Sequence, residues 1–279
     1  MAKIFFDGNL DLIKSKVIGI IGYGNQGRAQ ALNMRDNGLN VIIGNIRDEY
    51  WNKALNDGFK VYPINEAVKL SDITLMLIPD EIMPKVFNDQ VKTYLKPGQV
   101  LCFASGYNIA FNYIKPPNNI DVILVAPRMI GEGVRNLFIE KRGFPVLVAV
   151  HQNYSGKALE YALSIAKAIG ALNKGGIAVE TTFKEEAITD LFGEQVIGGG
   201  LLYLIRTAFE VMIENGINPI VALLELYASG EIIEVAKAIY KYGLWNQLKL
   251  HSQTSQYGQQ TRGPRIISNQ VKTILKEIM

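Results

Sequence analysis

The stretch VIGIIGYGNQGRAQAL, residues 17–32, joins an apolar run to a helical pattern through three glycines, Gly22, Gly24 and Gly27. The G-x-G-x-x-G spacing is informative when it lies between a strand and a helix, which is its context here. The first glycine allows a tight bend, the second lets the backbone approach a pyrophosphate, and the third lets helix and strand pack closely. The stretch therefore predicts a dinucleotide-binding turn, in which the first N–H groups of the helix bind phosphate oxygens.

Further apolar runs follow this stretch and extend the pattern over the first half of the chain. They are NVIIG (40–44), ITLMLIP (73–79), QVLCFAS (99–105), DVILVAP (121–127) and FPVLVAV (144–150). Because the runs are continuous rather than alternating, they are typical of strands buried on both faces of a parallel sheet. Helical patterns lie between them, which predicts a doubly wound α/β domain.

The second half of the chain has a different pattern. From Lys184 onward it is helical, and one long helix is expected over 219–241, with Pro219 in its first turn. The predicted fold is therefore α/β, with an N-terminal Rossmann-type doubly wound parallel sheet over residues 1–180. An all-helical C-terminal domain over residues 181–279 follows and is too apolar to stand alone as a monomer, which predicts dimerisation.

Composition excludes several classes of protein. The 279 residues are 48% hydrophobic and 20% charged, with a net charge of +3, so a substantial core is expected. We find no Lys/Arg-rich run, which argues against nucleic-acid partners. No uninterrupted apolar stretch approaches the roughly 18–20 residues of a membrane span, which argues against a membrane partner. The single cysteine, Cys102, lies in an apolar run and fits a core thiol in a reducing, cytoplasmic compartment.

The residues after the second apolar run bear on the type of dinucleotide. An acid in this position hydrogen-bonds the free ribose hydroxyl of NAD, whereas an arginine accommodates the 2′-phosphate of NADP. The sequence offers Arg47 beside Asp48 and Glu49. Both NADP and NAD therefore stay open as cofactors.

A second unusual stretch, AITDLFGEQVIGGGLLYLI, spans residues 187–205. Asp190 and Glu194 are four residues apart on one face of an otherwise apolar helix. Buried carboxylates cost several kcal/mol unless a cation neutralises them. From the residues alone, a bound metal, a basic partner or exposure to solvent would each account for the pair.

Taken together, the motifs resemble a known family. GYGNQGRAQALN, LIPDE, FASGYNI, VAPR, ETTFKEEAITDLFGEQ and SQTSQYG occur in the order and approximate spacing of class I ketol-acid reductoisomerases. The resemblance implies an oxidoreductase of branched-chain amino-acid biosynthesis, on the route to isoleucine and valine, with a small acetohydroxy acid or 2-keto acid as substrate. The family shifts an alkyl group and then reduces the resulting 2-keto acid with NADPH, using two Mg²⁺ ions. The resemblance also implies a homodimer, or a higher homo-oligomer of dimers, with sites shared between subunits.

The same resemblance implies roles for particular residues. The cofactor-binding residues it implies are Gly22, Tyr23, Gly24, Asn25, Gln26, Gly27, Arg47, Asp48, Pro79, Asp80 and Gly131. The metal ligands it implies are Asp190 and Glu194, with Glu225 supplied by the partner subunit, and the catalytic positions are Ser105, Arg128 and Ser252.

The sequence departs from the family at three of the implied site positions. Ser105 stands where the family has histidine, Arg128 where it has lysine, and Ser229 where it has a second glutamate after Glu225. A serine hydroxyl cannot relay protons near pH 7 as imidazole does, and arginine does not release a proton as lysine can. Three interpretations stay open: an enzyme of the family, a 2-keto acid reductase without the alkyl shift, and a catalytically silent nucleotide-binding paralogue.

Overall fold

The computed structural model describes residues 2–279. Within that range nine strands form a single sheet. They are β1 (Ile4–Phe5), β2 (Val17–Ile21), β3 (Asn40–Gly44), β4 (Lys60–Tyr62), β5 (Ile73–Met76), β6 (Val100–Phe103), β7 (Asp121–Pro127), β8 (Pro145–Gln152) and β9 (Ile177–Glu180). All six predicted strands are present, and β1, β4 and β9 are three short strands that the sequence reading did not find.

The strand order is β1-β9-β8-β7-β6-β5-β2-β3-β4, and β2 to β7 are parallel to one another. From β2 the chain builds outward to β3 and β4, then crosses back to add β5, β6 and β7 on the other side. The order therefore reverses between β2 and β5. In doubly wound sheets this reversal opens a crevice at the carboxyl ends of the strands, where dinucleotides bind.

The sheet is not entirely parallel, which corrects the sequence-based expectation for its far side. β8 runs antiparallel to β7, with Pro127 opposite Val146, and β1 runs antiparallel to β9. A strand buried on both faces has the same continuous apolar pattern in either direction, so the sequence could not distinguish the two. Antiparallel strands at the side of a mostly parallel sheet are common in such folds.

Thirteen α-helices are described within residues 2–279, and those of the first part of the chain pack on both faces of the sheet. They are α1 (Asn25–Asp36), α2 (Glu49–Asn56), α3 (Ile64–Leu70), α4 (Met83–Val86), α5 (Tyr107–Ala110), α6 (Gly131–Ile139), α7 (Ala158–Ala168), α8 (Phe183–Phe192), α9 (Gly200–Glu214), α10 (Pro219–Leu223), α11 (Glu231–Tyr242), α12 (Gln253–Ile266) and α13 (Asn269–Ile278). Turns of 3-10 helix occur at Leu10–Leu12, Lys92–Tyr94 and Asn246–Leu250, and π-helical segments at Phe87–Val91, Gly193–Gly199 and Leu224–Ala228.

Two apolar layers hold the sheet between these helices. Helices α1, α6 and α7 contribute to one layer, which includes Met34 and Ile165, and α3 contributes Ile64 and Val68 to the other. Cys102 is fully buried on β6, and burial raises the pKa of its thiol, as expected for an inert core cysteine. The sheet edge that carries the glycine turn is thus held on a packed scaffold.

The chain divides into two compact units, the first ending at Ile188 and the second comprising Thr189–Met279. This division falls inside α8, eight residues after the predicted boundary at 180. The last strand ends at Glu180, and the second unit is helical. The helix predicted over 219–241 begins at Pro219 but is interrupted, which corrects that expectation. Gly230 has a φ of +81°, a left-handed conformation that ends one helix before α11 begins.

One continuous helical stretch, Phe183–Glu214, is long and apolar enough to cross a membrane by length and composition alone, with a mean hydropathy of 1.6 in its most apolar window. This differs from the expectation from the sequence, which contains no uninterrupted apolar run of the length of a membrane span. None of that window is buried within the single chain. The stretch therefore exposes an extended apolar surface, which is typical of interaction sites.

Candidate functional site

The glycine turn lies at the carboxyl end of β2, on the crevice side of the sheet. Gly22 has a φ of +95°, which side-chain-bearing residues rarely adopt. A Cβ on Gly27 would lie 2.2 Å from the carbonyl oxygen of Gly22, so close packing of α1 on the turn requires glycine there. A Cβ on Gly24 would meet nothing within 4 Å, so this glycine faces open space. The three glycines thus have the separate roles that a pyrophosphate-binding turn requires.

The segment after β7 is bound directly to the glycine turn. The amide Nε2 of Gln26 donates to the carbonyl oxygen of Met129 at 2.9 Å. A Cβ on Gly131 would lie 2.2 Å from the carbonyl oxygen of Asn25, so the two backbones are in close contact. Asn25, Gln26 and Gly131, which the resemblance assigned to the cofactor, are therefore brought together at the N-termini of α1 and α6.

Tyr23, the remaining residue of the turn on that list, has its side chain turned into the protein. Its ring is buried, and its hydroxyl donates to Asp57 Oδ2 at 2.8 Å. A contribution of Tyr23 to cofactor binding would therefore come from its backbone.

The loop after β3 uses its acid in a structural way. One carboxylate oxygen of Asp48 accepts from the backbone N–H of Trp51 at 3.0 Å and from Asn45 Nδ2 at 2.8 Å, so Asp48 caps α2. The Arg47 guanidinium lies over the Trp51 ring, 5.5 Å from its centroid. The capping role leaves Asp48 with less freedom to bind ribose hydroxyls than the sequence suggested.

The LIPDE and FASGYNI segments meet at the carboxyl ends of the neighbouring strands β5 and β6. Buried Asn108 donates through Nδ2 to the backbone oxygen of Asp80 at 3.1 Å and to its Oδ1 at 2.9 Å. The carbonyl of Pro79 accepts from the Met83 N–H at 3.1 Å, which starts α4. Ser105 is half-buried, and its Oγ accepts from the N–H of Tyr107 at 3.3 Å.

A buried carboxylate connects two of the substituted positions, and sequence reasoning missed it. Glu186 has no exposed side-chain surface; one oxygen accepts from Arg128 Nη2 and the other from the backbone N–H of Gly106, each at 2.6 Å. Gly106 directly follows Ser105. Glu186 therefore holds the turn after β6 and the residue after β7 in one arrangement.

A sequence signal for this part of α8 did exist. Thr182 caps the helix, accepting from the N–H of Glu185 at 3.0 Å, and Thr-x-x-Glu is the pattern of a capping box. That pattern fixes where the helix begins. It also places Glu186 four residues, about one turn, before Asp190.

Two of the three expected metal ligands lie in π-helical segments of the second unit. Asp190 is half-buried in α8, while Glu194 is exposed in the π-helical segment Gly193–Gly199. Glu225 is exposed in the second π-helical segment, Leu224–Ala228, and Ser229 ends that helix. Short π-helical insertions are frequent at functional sites.

The donor set of a single chain is small. Among residues 2–279, no three His, Cys, Asp or Glu side chains come close enough to hold a metal together. The pair Asp190 and Glu194 nevertheless fits Mg²⁺, which takes hard oxygen ligands, often only one or two from protein, and completes its shell with water or substrate. Ser252 is exposed and caps α12, its Oγ accepting from the Ser255 N–H at 3.2 Å.

Comparison with family models covers almost the entire chain. Residues 12–175 match the acetohydroxy acid isomeroreductase, NADPH-binding domain. Residues 183–279 match the ketol-acid reductoisomerase, C-terminal domain. The interval between the two matches, residues 176–182, contains β9 and ends where α8 begins.

Individual relatives agree with the family models. A ketol-acid reductoisomerase (NADP(+)) from Pyrobaculum arsenaticum is 49% identical over 281 residues, covering 99% of this chain and 84% of the relative. One from Sulfurisphaera tokodaii is 47% identical and covers 100% of this chain and 84% of the relative. A solved structure of an NADH-preferring ketol-acid reductoisomerase from an uncultured archaean matches with a TM-score of 0.94 at 39% identity, covering 99% of this chain and 85% of that one.

Proposed function

The chain belongs to the ketol-acid reductoisomerase family of NADP-dependent oxidoreductases, and we propose that it is an NAD(P)H- and Mg²⁺-dependent member in which reduction is favoured over the alkyl shift. Its substrate is an acetohydroxy acid, or the 3-hydroxy-2-keto acid that forms from it by rearrangement. The observation that carries this proposal is the 2.6 Å ion pair between Arg128 and buried Glu186.

The ion pair bears on proton transfer, which the two parts of the reaction need to different degrees. Arg128 is held by Glu186, and an arginine, unlike a lysine, does not serve as a proton donor. The Ser105 hydroxyl cannot relay protons as the family's histidine does. An alkyl shift requires a proton to leave one oxygen and return to another, so both changes reduce it. Delivery of hydride to a keto carbon requires mainly a bound dinucleotide and a polarised carbonyl.

We propose Mg²⁺ as the metal because carboxylate oxygens are ligands that it prefers. Asp190 and Glu194 would hold the ion, and when bound it would polarise neighbouring oxygen atoms of the substrate. A second ion would depend on Glu225, because Ser229 offers no carboxylate. We infer one competent Mg²⁺ position and a second that is weak, which again reduces the alkyl shift more than the reduction.

Cofactor choice follows from the loop after β3. Arg47 can contact a 2′-phosphate, but Asp48 caps α2 and no second cation follows it in the Arg47–Asp48–Glu49 triplet. We infer that NADPH and NADH are both accepted, with weak discrimination between them. Relatives named for NADP(+) and for a preference for NADH are both similar to this chain, which supports the inference.

Assembly is inferred from the uncovered apolar surface of the second unit. Leu202, Tyr203, Ile220 and Trp245 are each about 70% exposed in the single chain. A second copy of the chain would cover this surface, and the partner's Glu225 and Ser252 would complete the site, as the resemblance implies. Sedimentation tests this, since a folded monomer at micromolar concentration would contradict it. We place the assembled enzyme in the cytoplasm.

The experiment that tests the proposed function is an NAD(P)H oxidation assay with acetolactate and with its rearranged 3-hydroxy-2-keto acid, each with and without Mg²⁺. Turnover that depends on Mg²⁺ supports a family enzyme. The Arg128–Glu186 pair also favours a second candidate, a 2-keto acid reductase without the shift, which would oxidise NAD(P)H only with the rearranged acid. If dinucleotide and Mg²⁺ bind but neither acid turns over, the chain is a silent paralogue and the proposal fails.

A further inference from the structure

Asp57 accepts hydrogen bonds from the glycine turn and from α1. It follows α2 and is largely buried, with 20% of its side-chain surface exposed. Its Oδ2 accepts from the Tyr23 hydroxyl at 2.8 Å and from Arg28 Nε at 2.7 Å, and its Oδ1 accepts from Arg28 Nη2 at 3.1 Å. Its backbone oxygen also accepts from Arg35 Nη1 at 2.6 Å.

Two of these donors lie at the dinucleotide turn itself. Tyr23 separates Gly22 from Gly24, and Arg28 is in the first turn of α1. Glycines provide no side chain to hold a loop in place, and they add conformational freedom to it. The Tyr23 ring is buried against Phe59, with centroids 5.7 Å apart in an edge-to-face arrangement. The turn is therefore anchored through Tyr23, and Asp57 accepts the hydroxyl at the end of that anchor.

We propose that Asp57 is a positioning residue for the dinucleotide, holding Tyr23 and Arg28 so that the N–H groups of the glycine turn are oriented before the cofactor binds. The inference rests on the proposed dinucleotide site and adds to it a residue outside the G-x-G-x-x-G motif. Ordering a binding loop in advance improves affinity because less conformational entropy is lost when the ligand arrives.

The charges of the three groups are consistent with this arrangement. The hydrogen bond from Arg28 holds the pKa of Asp57 below its usual value, against the opposing effect of burial. Burial and the bond to Asp57 raise the pKa of Tyr23. At neutral pH the tyrosine is therefore the donor and Asp57 the charged acceptor.

The test compares Asp57→Asn and Tyr23→Phe with a matched control, Asp36→Asn. Asp36 is also held by two arginines, Arg35 at 3.1 Å and Arg135 at 2.6 Å, but at the far end of α1. Two quantities are measured for each variant: amide hydrogen exchange of residues 22–28 without cofactor, and the dissociation constants of NADPH and NADH.

Asp57→Asn and Tyr23→Phe are each expected to speed exchange in residues 22–28 and to weaken both cofactors by about fivefold. Tyr23→Phe removes the donor of the Tyr23–Asp57 bond, and Asp57→Asn weakens the same bond by removing the charge of its acceptor. The double variant should therefore be little worse than the more damaging single one. Asp36→Asn should leave both measurements unchanged.

Unchanged exchange at residues 22–28 in Asp57→Asn, or equal effects in Asp36→Asn, would overturn the inference and leave Asp57 a general structural residue. Tyr23→Phe removes only a hydroxyl, so it decides the question even if Asp57→Asn folds poorly. A wild-type protein that binds neither dinucleotide would defeat the proposed function, while the exchange comparison would still decide the role of Asp57.

Discussion

Replacing Glu186 by alanine should destabilise the first compact unit far more than loss of a surface ion pair. Glu186 is fully buried, and both of its oxygens accept hydrogen bonds at 2.6 Å, from Arg128 and from the Gly106 N–H. The variant leaves both donors without this partner in a site that water reaches poorly. Removing one member of a buried pair costs about 3–5 kcal/mol, because the remaining charge is uncompensated.

The exposure of Arg128 determines where in the range of about 3–5 kcal/mol the destabilisation should fall. Its side chain is 29% exposed, so solvent compensates part of the charge that Glu186 leaves behind. We therefore expect the low end, about 3 kcal/mol. For a unit of this size that corresponds to a fall of about 6–12 °C in the melting temperature. Glu186→Gln keeps an acceptor for the Gly106 N–H and should cost about half as much.

Thermal and urea unfolding monitored by circular dichroism measure the effect. The control is Asp89→Asn, which breaks the Lys85–Asp89 pair, also short at 2.7 Å but 83% and 52% exposed. Exposed pairs contribute little to stability, so the control should change little. If Glu186→Ala shifts unfolding no more than Asp89→Asn does, Glu186 does not organise the Ser105 turn and Arg128.

Three further predictions concern cofactor, metal and pH. Fluorescence titration should show that NADPH is preferred over NADH by less than about 100-fold, roughly 2.7 kcal/mol. Arg47→Ala should weaken the binding of NADPH but not of NADH. Equal weakening of NADH binding would show that Arg47 does not contact the 2′-phosphate. Asp190→Asn should abolish Mg²⁺-stimulated turnover without changing dinucleotide affinity, and retained stimulation would exclude Asp190 as a ligand. Burial lowers the pKa of His151, which packs against Phe183 with ring centroids 5.7 Å apart, so the unfolded chain binds its proton more readily. Stability should therefore fall as pH drops below about 6.5, and His151→Gln should reduce that slope in pH-dependent urea unfolding; an unchanged slope would assign it to other groups.

The parts of the fold that the sequence predicted depend on local pattern. The glycine turn follows from the spacing of three residues, and the six predicted strands from continuous apolar runs that are too short for most helices. The direction of β8 leaves no local trace, because a strand buried on both faces has the same composition either way. The interruption at Gly230 was missed because the apolar pattern continues across it, although glycine at that place is a recognised helix stop.

The candidate site likewise contains residues that the sequence predicted and residues that it did not. Ser105, Arg128 and Asp190 could be located because motifs carry them. Glu186 could not, since an acid in the first turn of a helix is usually explained by the helix dipole and stays exposed. Asp57 could not, because it follows the end of α2 and nothing local indicates its partners. Their importance arises from tertiary partners 22 to 80 residues away along the chain.

The measurement that tests the central claim most directly compares two substrates at saturating NADPH and Mg²⁺, acetolactate and its rearranged 3-hydroxy-2-keto acid. A positioned acid–base group contributes about 10²–10⁴-fold to a rate, and Ser105 and Arg128 both replace such groups. Reduction of the rearranged acid is therefore expected to exceed turnover of acetolactate by at least about 100-fold. Similar rates with the two acids would contradict the account and show that other residues carry the proton transfers of the alkyl shift.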